Sequence, residues 1–316
     1  MTDGIYTIVD IGGSKVLYIL IDKTGQILFR EKTSTPYNPD PLLLVSVIKD
    51  LTIEALKTRA GMKLSNIKKI GICSTGFLDH HSGVVYKAEN LNWHQPVELC
   101  RLVSDSLSTT TIIENDGNAA VLGEVYFGAA KGEKDVIYVT ISTGIGGGLF
   151  LNGHLYRGNK GFSGEIGHMK PFGKGRQCAC GGYDCLESWA SGKAIAQSAS
   201  LKWKLLELEK ETITTADVFK KAEEGNACAK DIIDDAALKI GLGLSNIAAL
   251  LNPSCIVVGG GLASAQPEFL NHVISVTMEQ APTPATKITS LRIIPSILEP
   301  EAGIWGMFAL LTGLAE

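Results

Sequence analysis

Several features that would tie the chain to a membrane or to nucleic acid are missing from its 316 residues. No apolar run is long enough to span a bilayer, and the first residues, MTDGIYTIVDIGG, carry Asp3 where a secretion signal would be basic. No block of lysine or arginine occurs, and the formal net charge is −4. We therefore expect a cytoplasmic protein without a membrane or nucleic-acid partner.

Cysteine is scarce as well, at seven residues, and its odd number argues against a disulfide framework. Hydrophobic residues make up 45% of the chain and charged residues 20%, which is typical of a globular protein. The length suffices for two domains with sizeable cores. Because no proline- or serine-rich linker divides the chain, the domain boundary must be inferred from the pattern of predicted elements.

Apolar strands alternate with helical patterns in two similar halves. Strands are predicted in the first half for GIYTIVDIGG, KVLYILI, GQILFRE, IKKIGICSTG and TTIIEND. Helical spacing occurs over residues 40–59 and in PVELCRLVSDSL. DVIYVTIS, GGGLFLN, HLYRG and SCIVVGGGL predict strands in the second half, with a helix over 227–251. This repeated order predicts two α/β domains, residues 1–117 and 118–300, with a closing helix at about 301–316 that packs back on the first.

Glycine-rich turns follow three of these strands, in DIGGSK, STGIGGG and VVGGGL. Glycine lets backbone N–H groups approach a phosphate closely, although the first two turns are equally typical of β-hairpins. Gly12 and Gly13 stand too close to Lys15 for the motif G-x-x-x-x-G-K-[ST]. The segment after GIGGG has a strand pattern, whereas a dinucleotide fingerprint must open a helix.

A cluster of potential metal ligands stands near the middle of the chain. Cys178, Cys180 and Cys185 follow His168 within 18 residues. Thiolates and an imidazole favour tetrahedral Zn²⁺, and a shell of four protein ligands is typical of a structural site. A disulfide or free buried thiols are the alternatives. The remaining cysteines lie in apolar segments and are interpreted as core residues: Cys73, Cys100, Cys228 and Cys255.

Asp116 stands where a predicted strand, TIIEN, meets a predicted helix, GNAAVLGEVYFGAA. A carboxylate there is a candidate general base if it reaches the hydroxyl of a substrate. An aspartate in this position can also cap the helix. Gly117 and Asn118 can serve as caps too, so the cap does not require Asp116.

Taken together, the motifs resemble those of the ROK family (repressors, open reading frames, kinases), whose kinases belong to the actin–hexokinase ATPase superfamily. DIGGSK, NDGNAA, STGIGGG, GEIGH, CxCGxxxCLE and VVGGGL occur in the family's order, and the likeness extends to EAGIWGMFALL. The resemblance implies two actin-like ATPase (ribonuclease H-like) domains with an active-site cleft between them. It also implies a homodimer.

The resemblance further implies an ATP-dependent hexokinase that phosphorylates the 6-hydroxyl of a hexose. Asp116 would be the catalytic base, Asp10 would position Mg²⁺ through its water shell, and zinc would hold the loop that binds the sugar. The sugar would contact Asn115, Asp116, Glu165, His168 and Glu187, with Glu89 and Asn90 as weaker candidates. ATP would contact Asp10, Gly12, Gly13, Ser14, Lys15, Thr143, Gly144, Gly146, Gly147 and Gly260.

Two segments point to different sugars. GFLDHHSGVVYKAENLNW resembles bacterial glucokinases, whereas Ser74-Thr75-Gly76 resembles N-acetylmannosamine kinases. We expect glucose, with N-acetylmannosamine or another N-acetylhexosamine as the alternative. A sugar-sensing regulator of the same family is a third interpretation. We disfavour it because Asp116 is present and the first strand begins near residue 4, leaving no room for an amino-terminal helix-turn-helix.

Overall fold

The computed structural model describes residues 4–38, 40–59, 61–170, 173, 175–205, 212–288 and 290–315. None of the helices in these ranges is both long enough and apolar enough to cross a membrane.

Strands and helices of the first 132 residues follow the predicted order, with a short added hairpin. They are β1 (Ile5–Ile11), β2 (Lys15–Asp22), β3 (Ile27–Ser34), α1 (Pro41–Lys57), β4 (Ile67–Ser74), β5 (Phe77–Asp79), β6 (Val84–Lys87), α2 (Leu99–Leu107), β7 (Thr111–Asn115) and α3 (Asp116–Tyr126). Single 3₁₀ turns span Leu64–Asn66 and Glu89–Leu91. The hairpin of β5 and β6 follows the carboxyl end of β4.

The rest of the chain contains more helix than the sequence patterns predicted. Its elements are β8 (Val136–Ile141), β9 (Ile145–Leu151), β10 (His154–Leu155), α4 (Leu186–Ala190), α5 (Gly192–Leu205), α6 (Thr215–Glu223), α7 (Ala227–Leu251), β11 (Cys255–Gly259), α8 (Gly261–Ala265), α9 (Pro267–Gln280), β12 (Arg292–Pro295) and α10 (Ala302–Thr312). Short turns span Asn159–Gly161, Ile166–His168 and Pro284–Ile288. Of these, α4, α5, α6, α8 and α9 were not predicted.

The chain divides into two compact units, which we call the first and second units. The first comprises Met1–Gly132, His154–Ser163 and Glu301–Glu316, and the second comprises Glu133–Gly153 and Gly164–Pro300. The division after Gly132, in place of residue 117, leaves α3 in the first unit. The closing helix α10 lies in the first unit as well.

A five-stranded mixed sheet forms the centre of the first unit, in the order β3-β2-β1-β4-β7. β1, β2 and β3 are antiparallel neighbours, and β4 and β7 run parallel to β1. Alternate residues of β1 face opposite sides, as strand geometry requires. Val9 packs with the α1 and α2 side, whereas Ile8 packs with Met307 of α10. Helices therefore cover both faces, which explains why β1 and β2 are almost continuously apolar.

Helices α3 and α10 lie unusually close together. A Cβ atom on Gly306 would stand 1.6 Å from the carbonyl oxygen of Ala119, and one on Gly123 would stand 2.1 Å from that of Ala302. Only glycine permits this approach, because any side chain there would overlap the facing backbone. The contact explains why α3 belongs to the first unit and not to the second.

The second unit repeats the central arrangement of strands. Its order β9-β8-β11-β12 corresponds to β2-β1-β4-β7 of the first unit, with β9 antiparallel to β8 and with β11 and β12 parallel to it. Apolar residues of β8 and β11, among them Val139 and Val258, pack against the long helix α7 and its neighbours. Both units therefore place the carboxyl ends of parallel strands beside a glycine turn.

Candidate active site

Three parallel strands of the first unit end side by side, and the two outer ones carry an acidic residue at that edge. Asp10 of β1 pairs in register with Cys73 of β4, which pairs with Glu114 of β7. Burial raises the pKa of the Cys73 thiol well above its usual range, and the negative charges of Asp10, Asp116 and Glu114 raise it further. The carboxylates thus converge on one thiol. In open α/β sheets, this carboxyl edge is where ligands bind.

Asp116 is the first residue of α3, and it does not cap the helix. The cap is Asn115, whose Oδ1 accepts hydrogen bonds from the backbone N–H groups of Gly117 at 2.9 Å and Asn118 at 3.2 Å. One oxygen of Asp116 accepts from the same Gly117 N–H, at 2.9 Å. Since Asn115 satisfies the helix start, Asp116 is left for another role.

The carboxyl group of Asp116 has a perturbed pKa. Burial raises this pKa to about 6, and hydrogen bonds from the backbone N–H groups of Gly117 and of Asp116 itself oppose the rise. Desolvation disfavours the charged form of an acid, so its proton is held to a higher pH than usual. A carboxylate with a pKa near neutrality is suited to accept a proton from a substrate hydroxyl.

The first glycine turn, between β1 and β2, is held by backbone bonds. The Gly12 N–H donates to the Lys15 carbonyl at 2.9 Å, and the Thr35 hydroxyl donates to the Gly12 carbonyl at 2.7 Å. Gly13 and Ser14 at its tip are exposed. A Cβ on Gly13 would lie 2.9 Å from Cβ of Asn90, so the structure brings this weaker sugar candidate against the predicted phosphate turn.

The second glycine turn, between β8 and β9, is tied to the start of α4. The N–H of Ile145 donates to Oε2 of Glu187 at 2.9 Å, and a Cβ on Gly144 would stand 2.5 Å from the same oxygen. The carbonyl of Thr143 accepts from the N–H of Lys193 at 3.2 Å. Thr143 and Gly144 form the turn proper. Gly146 and Gly147 lie within β9, paired with Thr140 and Val139.

The GEIGH segment packs directly on the start of β9. A Cβ on Gly167 would stand 2.0 Å from the carbonyl oxygen of Ile145, so only glycine fits there. Ile166 is buried against Gly147, while Glu165 and His168 are partly exposed. The segment that carries the predicted sugar contacts is thus braced against the predicted phosphate hairpin within one unit.

The third glycine segment begins α8, and a carboxylate fixes it. The N–H of Gly260 donates to Oε1 of Glu299 at 2.9 Å, and the same oxygen accepts a hydrogen bond from the hydroxyl of Tyr138. Gly260 has a φ of +94°, a conformation that favours glycine. Neither Glu299 nor Tyr138 was predicted from the sequence.

The four predicted metal ligands do come together in the second unit. Ligand atoms of His168, Cys178, Cys180 and Cys185 all lie within 4.8 Å of one another. The sulfurs of Cys180 and Cys185 are 3.7 Å apart, which matches the separation of about 3.8 Å in a tetrahedron with Zn–S bonds of about 2.3 Å. None of the described cysteines forms a disulfide. The donor set therefore fits a zinc ion.

His168 presents its two ring nitrogens to different neighbours. Nδ1 lies 3.9 Å from the sulfur of Cys178, on the side of the thiols, while Nε2 lies 3.6 Å from Oε2 of Glu165. A metal at the thiols would take Nδ1 and fix the ring, leaving Nε2 beside the carboxylate. The resemblance implies one ring nitrogen of His168 for the metal and the other for a sugar hydroxyl.

The predicted site residues fall into two groups by unit. The first unit holds Asp10, Gly12, Gly13, Ser14, Lys15, Asn115 and Asp116. The second unit holds Thr143, Gly144, Gly146, Gly147, Glu165, His168, Cys178, Cys180, Cys185, Glu187 and Gly260.

Two charged residues beside Asp116 were missed by sequence reasoning. Glu114 is only 2% exposed, and it bonds to the side chains of Asn118 and Arg157. The available signal was a charged residue at the end of the otherwise apolar strand TTIIEND, because buried carboxylates require partners. Arg157, 43 residues later, could not be paired with it from the sequence.

Comparison with known proteins decides the family. A model of the ROK family matches residues 6–313. The chain belongs to the ROK family. It is 32% identical to a glucokinase from Halalkalibacterium halodurans, a match that spans 86% of this chain and 85% of that protein. It is 30% identical to a xylose repressor from Bacillus spizizenii, over 96% of this chain and 75% of the repressor.

Two further similar proteins are a kinase with a different name and a glucokinase with a crystal structure. An N-acetylmannosamine kinase from Vibrio cholerae is 30% identical, over 84% of this chain and 88% of that protein. The crystal structure of a ROK family glucokinase from Streptomyces griseus, in complex with glucose and AMPPNP, superposes with a TM-score of 0.79 at 29% identity. The match covers 97% of this chain and 99% of that one. The ROK chain therefore has the expected actin-like ATPase fold.

Proposed function

We propose that this protein, an ATP-dependent sugar kinase of the ROK family, transfers the γ-phosphoryl group of ATP to the 6-hydroxyl of a hexose and prefers glucose. The observation that carries the proposal is Asp116. Its carboxylate stands at the carboxyl edge of the first sheet, does not cap its helix, and has a pKa raised to about 6 by burial. The resemblance assigns the catalytic base to this residue.

In the proposed reaction, Asp116 accepts the proton of the attacking hydroxyl while the hydroxyl oxygen bonds to the γ-phosphorus of ATP. The bond from this phosphorus to the oxygen that bridges to the β-phosphate breaks, and ADP leaves. Phosphoryl transfer depends mainly on positioning and on stabilising negative charge, so a single well-placed base suffices. Asn115 uses its Oδ1 for the helix cap, which leaves its amide N–H groups to donate to the sugar. Asp10, near the end of β1 at the same edge of the sheet, is proposed to position Mg²⁺, which would neutralise charge on the phosphates when bound.

The glycine turns are proposed to cradle the phosphates and the nucleotide. Each hairpin turn is held by a hydrogen bond to a side chain that lies outside the turn. This side chain is Thr35 in the first unit and Glu187 in the second. Backbone N–H groups held in place can meet phosphate oxygens without further ordering. We therefore assign Gly13 and Gly144 to the phosphates and Gly260 to the adenosine side.

The Cys/His cluster is proposed to hold a structural Zn²⁺. Its four ligands are all protein groups, so no position is left for an activated water. Cys185 directly precedes α4, which carries Glu187, and His168 ends the turn that Glu165 directly precedes. A metal there would fix two predicted sugar-binding carboxylates through the ligands beside them.

The choice of glucose rests on the loop GFLDHHSGVVYKAENLNW and on the glucokinase relatives. The N-acetylmannosamine kinase from Vibrio cholerae and the segment Ser74-Thr75-Gly76 support the alternative, an N-acetylhexosamine. We also infer a cytoplasmic homodimer that contributes to carbohydrate metabolism at the entry to glycolysis, without a nucleic-acid partner. The support for this is the family resemblance and the net charge of −4.

The sugar preference is tested by measuring ADP release with ATP and Mg²⁺ on glucose, mannose, N-acetylglucosamine and N-acetylmannosamine. We expect glucose to give the highest kcat/KM, with an ATPase rate in the absence of sugar as the control. Preference for N-acetylmannosamine would overturn the choice of glucose but leave the kinase intact. Tight binding of a sugar, measured by calorimetry, without any turnover would favour a sugar-sensing regulator.

The rate should depend on pH through Asp116. A base must be ionised, and its pKa is raised to about 6, so kcat should fall as the pH drops below about 6 and level off above pH 7. The measurement is kcat at saturating sugar and ATP between pH 5 and 8.5. A kcat that stays constant down to pH 5 would contradict the assignment of a raised pKa to the base.

A further inference from the structure

We propose that Glu114, held by Arg157, is a positioning residue that fixes the first turn of α3 and thereby aims the carboxylate of Asp116. The proposal rests on the assignment of Asp116 as the base. It adds two residues that neither the sequence motifs nor the comparisons assign a role.

Glu114 binds the chain on both sides of Asp116. Its Oε1 accepts from the backbone N–H of Asn115 at 3.0 Å and from the side-chain amide of Asn118 at 3.0 Å. One donor precedes the base by one residue and the other follows it by two. Any rotation of this turn that moved Asp116 would therefore stretch at least one of these bonds.

Arg157 fixes the other oxygen of Glu114. Its Nε donates to Oε2 at 2.8 Å, and its side chain is 26% exposed whereas that of Glu114 is 2% exposed. A charge-assisted bond to a buried carboxylate is short and directional. Glu114 thus has three donors on two oxygens, which leaves its side chain little freedom to rotate.

Arg157 is itself held by the segment that carries it. Its carbonyl accepts from the N–H of Ser163 at 3.2 Å, which closes the loop. Phe162 in this loop packs edge-on against Phe77 at 5.8 Å and Tyr86 at 6.1 Å between ring centroids. The β5–β6 hairpin therefore anchors the loop, and the loop delivers the guanidinium to Glu114.

His80, directly after β5, is an ionisable neighbour of the pair on the side of Arg157. Burial lowers the pKa of His80, the positive charge of Arg157 lowers it further, and the charge of Glu114 opposes this. The lowered pKa favours the neutral form of the His80 imidazole. The positive charge that pairs with the Glu114 carboxylate is therefore that of the Arg157 guanidinium.

The expected effect of Glu114→Gln is a loss of kcat without a comparable loss of ATP binding. A glutamine keeps the size of the side chain but weakens the bond from Arg157. A small displacement of the base can reduce a rate by as much as about 100-fold, so we expect kcat to fall about 10- to 100-fold. The KM for ATP should change by less than about threefold.

The two variants of Arg157 test the other half of the pair. Arg157→Met should lose kcat to the same extent as Glu114→Gln. Arg157→Lys should keep most of the wild-type kcat, because lysine can still donate a hydrogen bond to Glu114.

The decisive test combines Glu114→Gln with Asp116→Asn. If Glu114 acts through Asp116, Glu114→Gln should change the residual rate of the Asp116→Asn enzyme by less than about twofold, since residues that act as one unit are not additive. Thermal stability should fall equally in both backgrounds. This separates positioning of the base from damage to the fold.

Glu124→Gln is the matched control. Glu124 is fully buried on the same helix, two turns after Asp116, and its Oε2 accepts from the N–H of Ala129 at 2.7 Å. We expect this variant to lose stability but to keep kcat within about twofold.

Three outcomes would overturn the proposal: an unchanged kcat in Glu114→Gln, an equal loss of kcat in Glu124→Gln, or a full additional loss in the double variant. An active Asp116→Asn enzyme would instead overturn the assignment of the base.

Discussion

Asp116→Asn is expected to reduce kcat on the preferred sugar by about 1,000-fold while leaving the KM for ATP within about threefold. A positioned general base contributes about 100- to 10,000-fold to a rate, and the amide of asparagine cannot accept the hydroxyl proton at neutral pH. The substitution preserves the local structure because asparagine can still accept from the Gly117 N–H, as Oδ1 of Asp116 does. The measurement is steady-state ADP release with purified wild type and variant.

The same substitution should stabilise the protein at neutral and higher pH, which excludes unfolding as the cause of the lost rate. The pKa of Asp116 is raised from an ordinary value of 3.8 to about 6 in the folded chain. Ionisation of this carboxyl above pH 6 therefore destabilises the folded wild type, whereas asparagine has no charge and is not destabilised in this way. Because Asp116 keeps some exposure to solvent, which screens part of this effect, we expect a gain on the order of 1–2 kcal/mol at pH 8. This gain should shrink as the pH falls through 6 and vanish near pH 4.

Thermal unfolding of wild type and Asp116→Asn at pH 4, 6 and 8 checks this. A variant that is less stable than wild type at pH 8 would indicate that Asp116 has a structural role. A variant that keeps more than about a tenth of the wild-type kcat would remove Asp116 as the base.

Cys185→Ser is expected to abolish stoichiometric zinc binding and to lower both stability and activity. A structural zinc site contributes folding free energy, and the loss of one thiolate from four ligands opens the shell. Cys185 is almost fully buried and directly precedes α4, so the start of this helix and Glu187 should lose their fixed position. We expect a fall in Tm of about 10 °C and a fall in kcat/KM for the sugar of at least about 10-fold.

Cys228→Ser is the control for this prediction, because Cys228 lies on α7, outside the cluster, and is partly buried. It should keep one zinc per chain by elemental analysis and the wild-type activity. Treatment of the wild type with a strong chelator should reproduce the loss seen in Cys185→Ser. Wild-type protein purified without zinc, yet fully stable and active, would contradict a structural metal.

The sequence predicted much of the fold because local patterns are strong where strands are buried and turns need glycine. β1, β2, β4, β7 and α7 lie where the patterns put them, and the actin-like ATPase fold is confirmed by the family and its crystal structures. Helices such as α5 and α9 were missed because their apolar positions are diluted by polar ones, and their helical state depends on packing against the second core.

The candidate site was predictable where chemistry is local in the sequence. Cys178, Cys180 and Cys185 are close enough along the chain that a metal cluster follows from their spacing, and His168 joins them in space. The N-cap at Asn115 was not foreseen, although asparagine is among the preferred cap residues. Asn115 and Asp116 are adjacent and have similar propensities for the N-cap position. Which of them is the cap depends on the backbone dihedral angles at the start of the helix, and the sequence does not give these.

What the sequence by itself determined is the set of motifs, and with them the family, the candidate metal ligands and the candidate base. Only the tertiary structure decided which groups surround that base. Glu114 and Arg157 are 43 residues apart, and Tyr138 and Glu299 are 161 apart. Such pairs are set by how the strands and loops pack. The physical reason is that a buried carboxylate must find donors, and the chain can supply them from any distance along its length once it folds.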